Sequence, residues 1–443
     1  MSFQINDMAN DTTDDGVVTG LIDAHTPQAP RSFEETGFGM NFLLTLVIKC
    51  AYVHGFQTVA EYSKHLKLGS RILVHILGYG QNKDLFDALT MTSAGEQRYE
   101  LSEKGRNWAV DALDQSMYIG PAPVRLPDFA RQAKRQSIAD EKLDAKVFAS
   151  CFDGMVLPEG FLNDYGPAVN SGHSILLYGA AGNGKSIFAK AIIDAFAKPI
   201  YVPYSLEVDG QVINVFDSSI HRPMPEQEVG GDDNGNTPIT PMRPDRRWVR
   251  CYRPMVITGG ELTLDMLDLQ FNPISKVYEA PLQFKVTGGV FVIDDFGRQR
   301  VEPSEVLNRW IIPLERRTDY LTLSTGKKFP VPFDALVMFS TNLTLTDLFD
   351  EATRRRIRYK FEIGPPTVAE YLTIFEKACE QAELPIETGV LSYLFDEYYP
   401  SGVQPIARFQ PQWIVDQVIS NCDYQNVPPR MDLPRVKQAL AHL

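Results

Sequence analysis

One eight-residue stretch, Gly179-Ala-Ala-Gly-Asn-Gly-Lys-Ser186, constrains this chain more than any other. It follows the apolar run Ile175-Leu-Leu-Tyr178 and opens an amphipathic segment, so a strand must pass through a glycine turn straight into a helix. Gly179, Gly182 and Gly184 allow backbone amides, with Asn183 among them, to curl around an anion, and Lys185 adds a point charge at its centre. The Ser186 hydroxyl suits a divalent cation held beside phosphate. A strand–loop–helix unit of this kind belongs to a parallel sheet sandwiched by helices. The surrounding pattern agrees, because strand-like runs at 174–178, 289–293 and 335–340 alternate with helical runs at 186–197 and 304–316. An α/β fold is the expectation.

Two further strand ends complete the pattern. Val290-Phe-Val-Ile-Asp-Asp295 reads as a buried strand that delivers carboxylates at its C-terminal end, where open α/β sheets bind their ligands. Asp294 suits the shell of a magnesium ion, and Asp295 suits the carboxylate that orients and polarises an attacking water. Met338-Phe-Ser-Thr-Asn342 ends another strand with a polar side chain at the same edge.

Taken together, these residues resemble the AAA+ ATPases, and within them the MoxR-like branch, over residues 147–419. The resemblance implies ATP and Mg²⁺ as ligands, with Gly179, Gly182, Asn183, Gly184, Lys185, Ser186 and Asp294 at the nucleotide and Ser186 and Asp294 at the metal. Asp295 takes the place of a glutamate usual in that family; its reach is about 1.5 Å shorter, which points to slow or rearrangement-dependent hydrolysis. Asn342 corresponds to the sensor that positions the attacking water. In the segment Glu351-Ala-Thr-Arg-Arg-Arg-Ile357, Arg356 matches the arginine that enters a neighbouring subunit's site, with Arg355 in reserve. Gln412 stands where the family commonly has a lid arginine, and Arg408 is the candidate substitute. A homo-oligomeric ring follows from the resemblance, a hexamer being one form of it.

Composition sets the context. A formal charge of −13 argues against a nonspecific nucleic-acid coat. The five cysteines show neither metal spacing nor even pairing, and no apolar run is long enough for membrane insertion, so a cytoplasmic protein is the expectation. Residues 1–32 read as an acidic disordered tail, and 33–117 resemble a winged-helix domain in their order of helices and a strand pair. Residues 118–135 read as a proline-stiffened linker, 136–365 as the nucleotide-binding core with an insertion at 218–247, and 366–443 as a helical lid. Residues 33–117 carry eight basic against ten acidic side chains, so a protein client is a better fit there than DNA. Three functions follow: an ATP-driven motor that remodels a protein partner, a nucleotide switch tethered to DNA, and a small-molecule kinase. The kinase would not need Asn342, Arg356 or a lid. Arg298 and Gln299, just past the acidic pair, leave the sheet where nucleotide state could be relayed.

Overall fold

The computed structural model describes residues 24–93, 95–225, 243–348, 354–402 and 404–443. Near the N-terminus, α1 (Met40–His54), α2 (Val59–Leu66) and α3 (Ser70–Asn82) precede an antiparallel hairpin of β1 (Phe86–Leu89) and β2 (Arg98–Leu101), closed by α4 (Glu103–Gln115). The helices form because their apolar residues recur at helical spacing, and Leu43, Leu44, Val47, Tyr62, Leu73, Ile76 and Leu77 meet in one core. Thr58 and Glu61 make a reciprocal capping box at the start of α2.

Residues 118–135, expected as a linker, are built into the fold. Val124–Arg125 pairs in parallel with Ser205–Val208, and α5 (Leu126–Arg135) buries Phe129 and Ala133 on the same layer. The end of the expected tail is also fixed, since the Thr26 hydroxyl lies 2.8 Å from that of Tyr201 and Gln132 Nε2 donates to the His25 carbonyl. Residues 1–23 lie outside the described part of the chain.

The central sheet consists of five parallel strands: β3 (Ile175–Tyr178), β4 (Met255–Thr258), β5 (Gly289–Ile293), β6 (Ala335–Thr341) and β7 (Tyr359–Glu362). Their spatial order is β7-β3-β6-β5-β4. The two-residue period of a strand assigns its faces. Ile175, Leu177, Val290, Val292, Leu336 and Met338 turn toward one core with Phe188 of α6 (Lys185–Ala191). Leu176, Phe291, Ile293, Val337 and Phe339 turn toward another with Val306, Leu307 and Trp310 of α7 (Pro303–Arg316). Helices therefore cover both faces, as expected for such a sheet. Pro303 starts α7, where a missing N–H costs nothing, and Arg317 ends it in the left-handed region.

A second, β-rich layer lies beside the central sheet. Its mixed five-stranded sheet joins Val124–Arg125, Ser205–Val208, Gln211–Asn214, Val277–Glu279 and Gln270–Asn272. Two antiparallel pairs, Ile200–Pro203 with Trp248–Cys251 and the hairpin Thr318–Thr322 with Lys328–Pro332, share its core through Trp248, Leu321 and Phe329. The expected 218–247 insertion springs from this layer. His221, Asp245 and Arg247 at its ends are buried, and residues 226–242 lie outside the described part. The N-terminal helices rest on the same layer, because Val212 and Val277 join their core and Arg246 Nη2 donates to Ser63 Oγ at 2.8 Å.

After Pro366 the chain is helical. α8 (Val368–Gln381), α9 (Gln410–Gln425) and α10 (Leu433–Leu440) bury Tyr371, Phe375, Ile414, Val418 and Val436 together. Among the described residues no helix is long and apolar enough to cross a membrane.

Candidate nucleotide site

β3, β6 and β5 lie side by side, so the turns after their C-terminal ends open onto one crevice. A cleft of about 320 Å³ there is lined by Gly182, Gly184, Lys185, Ser186, Asp294, Asp295, Ser340, Asn342, Arg408 and Phe409, among others. Residues taken from three separate motifs in the sequence thus converge.

The loop after β3 needs its glycines. Gly179 has φ +136°, and a Cβ there would stand 2.4 Å from the Ile363 carbonyl oxygen. Lys185 is buried, and its ammonium donates to the carbonyls of Gly179 and Ala180 at 2.8 and 2.9 Å. Burial lowers its pKa from the ordinary lysine value, while Asp295 and Asp294 pull the other way. Ser186 Oγ donates to Asp294 Oδ2 at 2.6 Å, a charge-assisted bond between the two side chains expected at the metal.

The acidic turn after β5 is tied to its neighbours. Asp294 N–H donates to Thr258 O, Phe296 N–H to Ser340 O, and Thr341 Oγ1 to Phe296 O, each at 2.7 Å. Asp295 sits in the left-handed region at φ +48° with its side chain exposed, and its N–H donates to Asp294 Oδ1. Asn342 Oδ1 and Ser340 Oγ are buried without a hydrogen-bond partner in the protein. An unsatisfied buried polar atom costs about 1–3 kcal/mol, so two of them in one cleft argue for a ligand that supplies what the protein withholds. The donor set fits a phosphate chain with Mg²⁺: hydroxyl and carboxylate side by side, one ammonium, and two oxygens open to hydrogen bonding.

The lid closes the cleft. The Phe409 N–H donates to Gly182 O at 3.0 Å, and the Phe409 ring lies so close that a Cβ on Gly182 would meet it at 2.3 Å. Arg408 lines the cleft, yet both terminal nitrogens of its guanidinium are committed elsewhere, Nη1 donating to Val156 O at 2.7 Å and Nη2 to Glu370 Oε2 at 2.9 Å, while its buried Nε has no partner in the protein. Its backbone N–H donates to the Asn183 side chain. Arg408 therefore fastens the lid to the core, and reaching a terminal phosphate would require breaking those bonds. A second hollow of about 200 Å³ adjoins the cleft between the lid and residues 154–156, lined by Met155, Val156, Phe188, Ile374 and Gln381.

Arg356 is not among the described lining of this cleft; its Nε lies 3.4 Å from Glu315 Oε1. Sequence reading missed Ser340 and Glu370 and gave Gln299 a different task from the one its contacts indicate. Ser340 carried a signal, because it lies at the C-terminal end of the strand that delivers Asn342, two positions before it. Gln299 and the contact of Glu370 with Arg408 carried none that a motif could capture, since what they hold is backbone or distant in sequence.

A family model of a domain of unknown function, DUF8689, matches residues 367–442. No curated protein matches the chain. Among solved structures, NtrX from Brucella abortus is 14% identical with a TM-score of 0.37, covering 63% of this chain and 53% of its own, so the chain spans about half the length of NtrX. A point mutant of Thermotoga maritima RuvB is 14% identical with a TM-score of 0.33, covering 69% of this chain and 73% of that one. The Thermotoga maritima RuvB Holliday junction branch migration motor is 15% identical with the same TM-score, covering 72% of each.

Proposed function

We propose that the chain is a Mg²⁺-dependent ATPase of the AAA+ type, in the MoxR-like branch, that works as a homo-oligomeric ring and remodels a protein partner. One observation carries the ATPase reading: Lys185 and the Ser186–Asp294 pair face Asp295 and the unsatisfied Asn342 across one cleft at the carboxyl edge of the parallel sheet. Lys185 exchanges its two loop carbonyls for the β and γ phosphate oxygens when nucleotide enters. Ser186 and Asp294 would hold Mg²⁺, which when bound neutralises charge developing on the phosphates. Asp295 polarises the attacking water and Asn342 orients it. The hollow beside residues 154–156 is large and apolar enough in its lining for the base. Arg356 completes a neighbour's site rather than its own.

Residues 33–117 serve as the docking module for the protein client. Their charge balance supports this, as do Tyr52, Val53 and Val74, which remain exposed on α1 and α3. His75 on α3 packs against the Phe33 ring at 5.6 Å, which leaves little on that helix beyond Arg71 to read a DNA groove.

Lys185→Ala tests the reading directly. Removing the main point charge at the phosphates should abolish ATP binding in equilibrium dialysis, and an unchanged affinity would refute the site.

A further inference from the structure

We propose that Gln299 is a positioning residue for hydrolysis, setting Asp295 through the backbone of the acidic turn. The proposal rests on the ATPase reading above. Gln299 Oε1 accepts from the Gly297 N–H at 2.7 Å, while its Nε2 donates to the carbonyls of Asp294 at 3.0 Å and Asp295 at 3.2 Å. One planar amide thus binds three backbone groups of the turn that carries both carboxylates.

The turn needs such a brace. Asp295 at φ +48° and Gly297 at φ +99° both lie in the left-handed region, which is unfavourable for aspartate without outside support. The bonds from Thr258, Ser340 and Thr341 fix residues 294 and 296 to the adjacent strands. They leave the Asp295 carbonyl to Gln299 and to the Arg298 N–H, which donates to it at 2.9 Å from within the same turn. Asp294 has a second anchor in Ser186, whereas the Asp295 side chain is exposed and depends on its backbone for direction. Loss of Gln299 therefore acts on Asp295 first. Displacing a reacting group by about 1 Å costs up to 10²-fold in rate, while the phosphate-binding residues stay where they are.

The experiment uses the full chain and measures steady-state kcat and KM for Mg-ATP, nucleotide affinity by titration, and thermal melting, on the parent, Lys185→Ala, Gln299→Ala and Gln299→Glu. Gln299→Ala should lower kcat on the order of 10- to 100-fold while affinity and KM stay within about twofold. Gln299→Glu keeps the acceptor for Gly297 but turns an oxygen toward two carbonyls, so it should lose kcat at least as far. This variant preserves size and covers the case in which the alanine variant melts early. Parental kcat in either folded variant overturns the proposal. So does a fall in affinity that matches the fall in kcat, because Gln299 would then support binding rather than Asp295. A parent that neither binds nor hydrolyses ATP, like Lys185→Ala, refutes the ATPase reading itself.

Discussion

Asp294 and Asp295 are adjacent and chemically identical, yet their surroundings separate their roles. Asp294 is bound by Ser186 at 2.6 Å, while Asp295 stands exposed on a left-handed backbone facing the cleft. The first suits a metal shell and the second suits work on water. Asp295→Asn keeps the shape and removes the charge, so nucleotide affinity should stay within a few-fold while phosphate release falls on the order of 10²- to 10⁴-fold. Titration with nucleotide and a phosphate-release assay separate the two, and parental turnover would place water activation on another residue. Residues of this kind were legible in the sequence because their chemistry is packed into short motifs at strand ends. Arg408 shows the limit. Its position near the lid suggested a phosphate sensor, but its bonds to Val156 and Glu370 depend on residues far away in sequence, which spacing does not encode.

Among the elements, the central strands were readable because both their faces are buried, which leaves continuous apolar runs such as Gly289–Ile293 and Ala335–Thr341. The second β layer was not. Its strands are three to five residues long apart from the two-residue Val124–Arg125, and they come from separated stretches of chain, so neither length nor periodicity marks them as one sheet. The same holds for the link between lid and core. Thr367 and Glu370 form a capping box at the start of α8, visible as a motif, but Glu370 Oε2 also receives Arg408 Nη2. Arg408 is 8% exposed and Glu370 19%, so the pair is sheltered enough to count. Glu370→Ala removes the bond from the Thr367 N–H, leaving Thr367 Oγ1 to cap the helix through the backbone N–H of residue 370, and leaves a buried guanidinium short of its counter-charge. Losing one partner of such a pair costs about 3–5 kcal/mol, and partial exposure points to the lower end. Chemical denaturation should show a loss of about 3 kcal/mol, with early loss of hydrogen-exchange protection in α8 and α9. Glu370→Gln, which can still accept both bonds, should lose less. An effect below about 0.5 kcal/mol, the range of ordinary surface changes, would mean that the lid is held by its apolar packing alone.

At the scale of the whole molecule, the cleft lacks an element that the proposed chemistry requires. Its described lining has Lys185 and Arg408 as its cations; the first belongs to the phosphate loop and the second is tied to Glu370 and Val156. Arg356 lies outside that lining, about one-third exposed, and pairs with Glu315 at 3.4 Å, a contact too solvated to hold it firmly. In the proposed ring Arg356 acts on another copy's site, since head-to-tail contacts between identical chains form a ring where their rotation closes. Alone, Arg356→Ala should bind nucleotide almost as the parent does and lose on the order of 10³- to 10⁵-fold in turnover. Lys185→Ala alone should be inactive for the opposite reason, its arginine intact and its phosphate loop not. Mixed in equal amounts and allowed to assemble at random, the two place a working loop against a working arginine at about a quarter of the interfaces, and turnover should recover toward that fraction of the parental value. Co-assembly is checked with differently tagged chains, because rescue can be judged only where mixed rings exist. Mixed rings without rescue would show that Arg356 acts within its own chain or has no part in hydrolysis, and the ring would then lose its catalytic rationale.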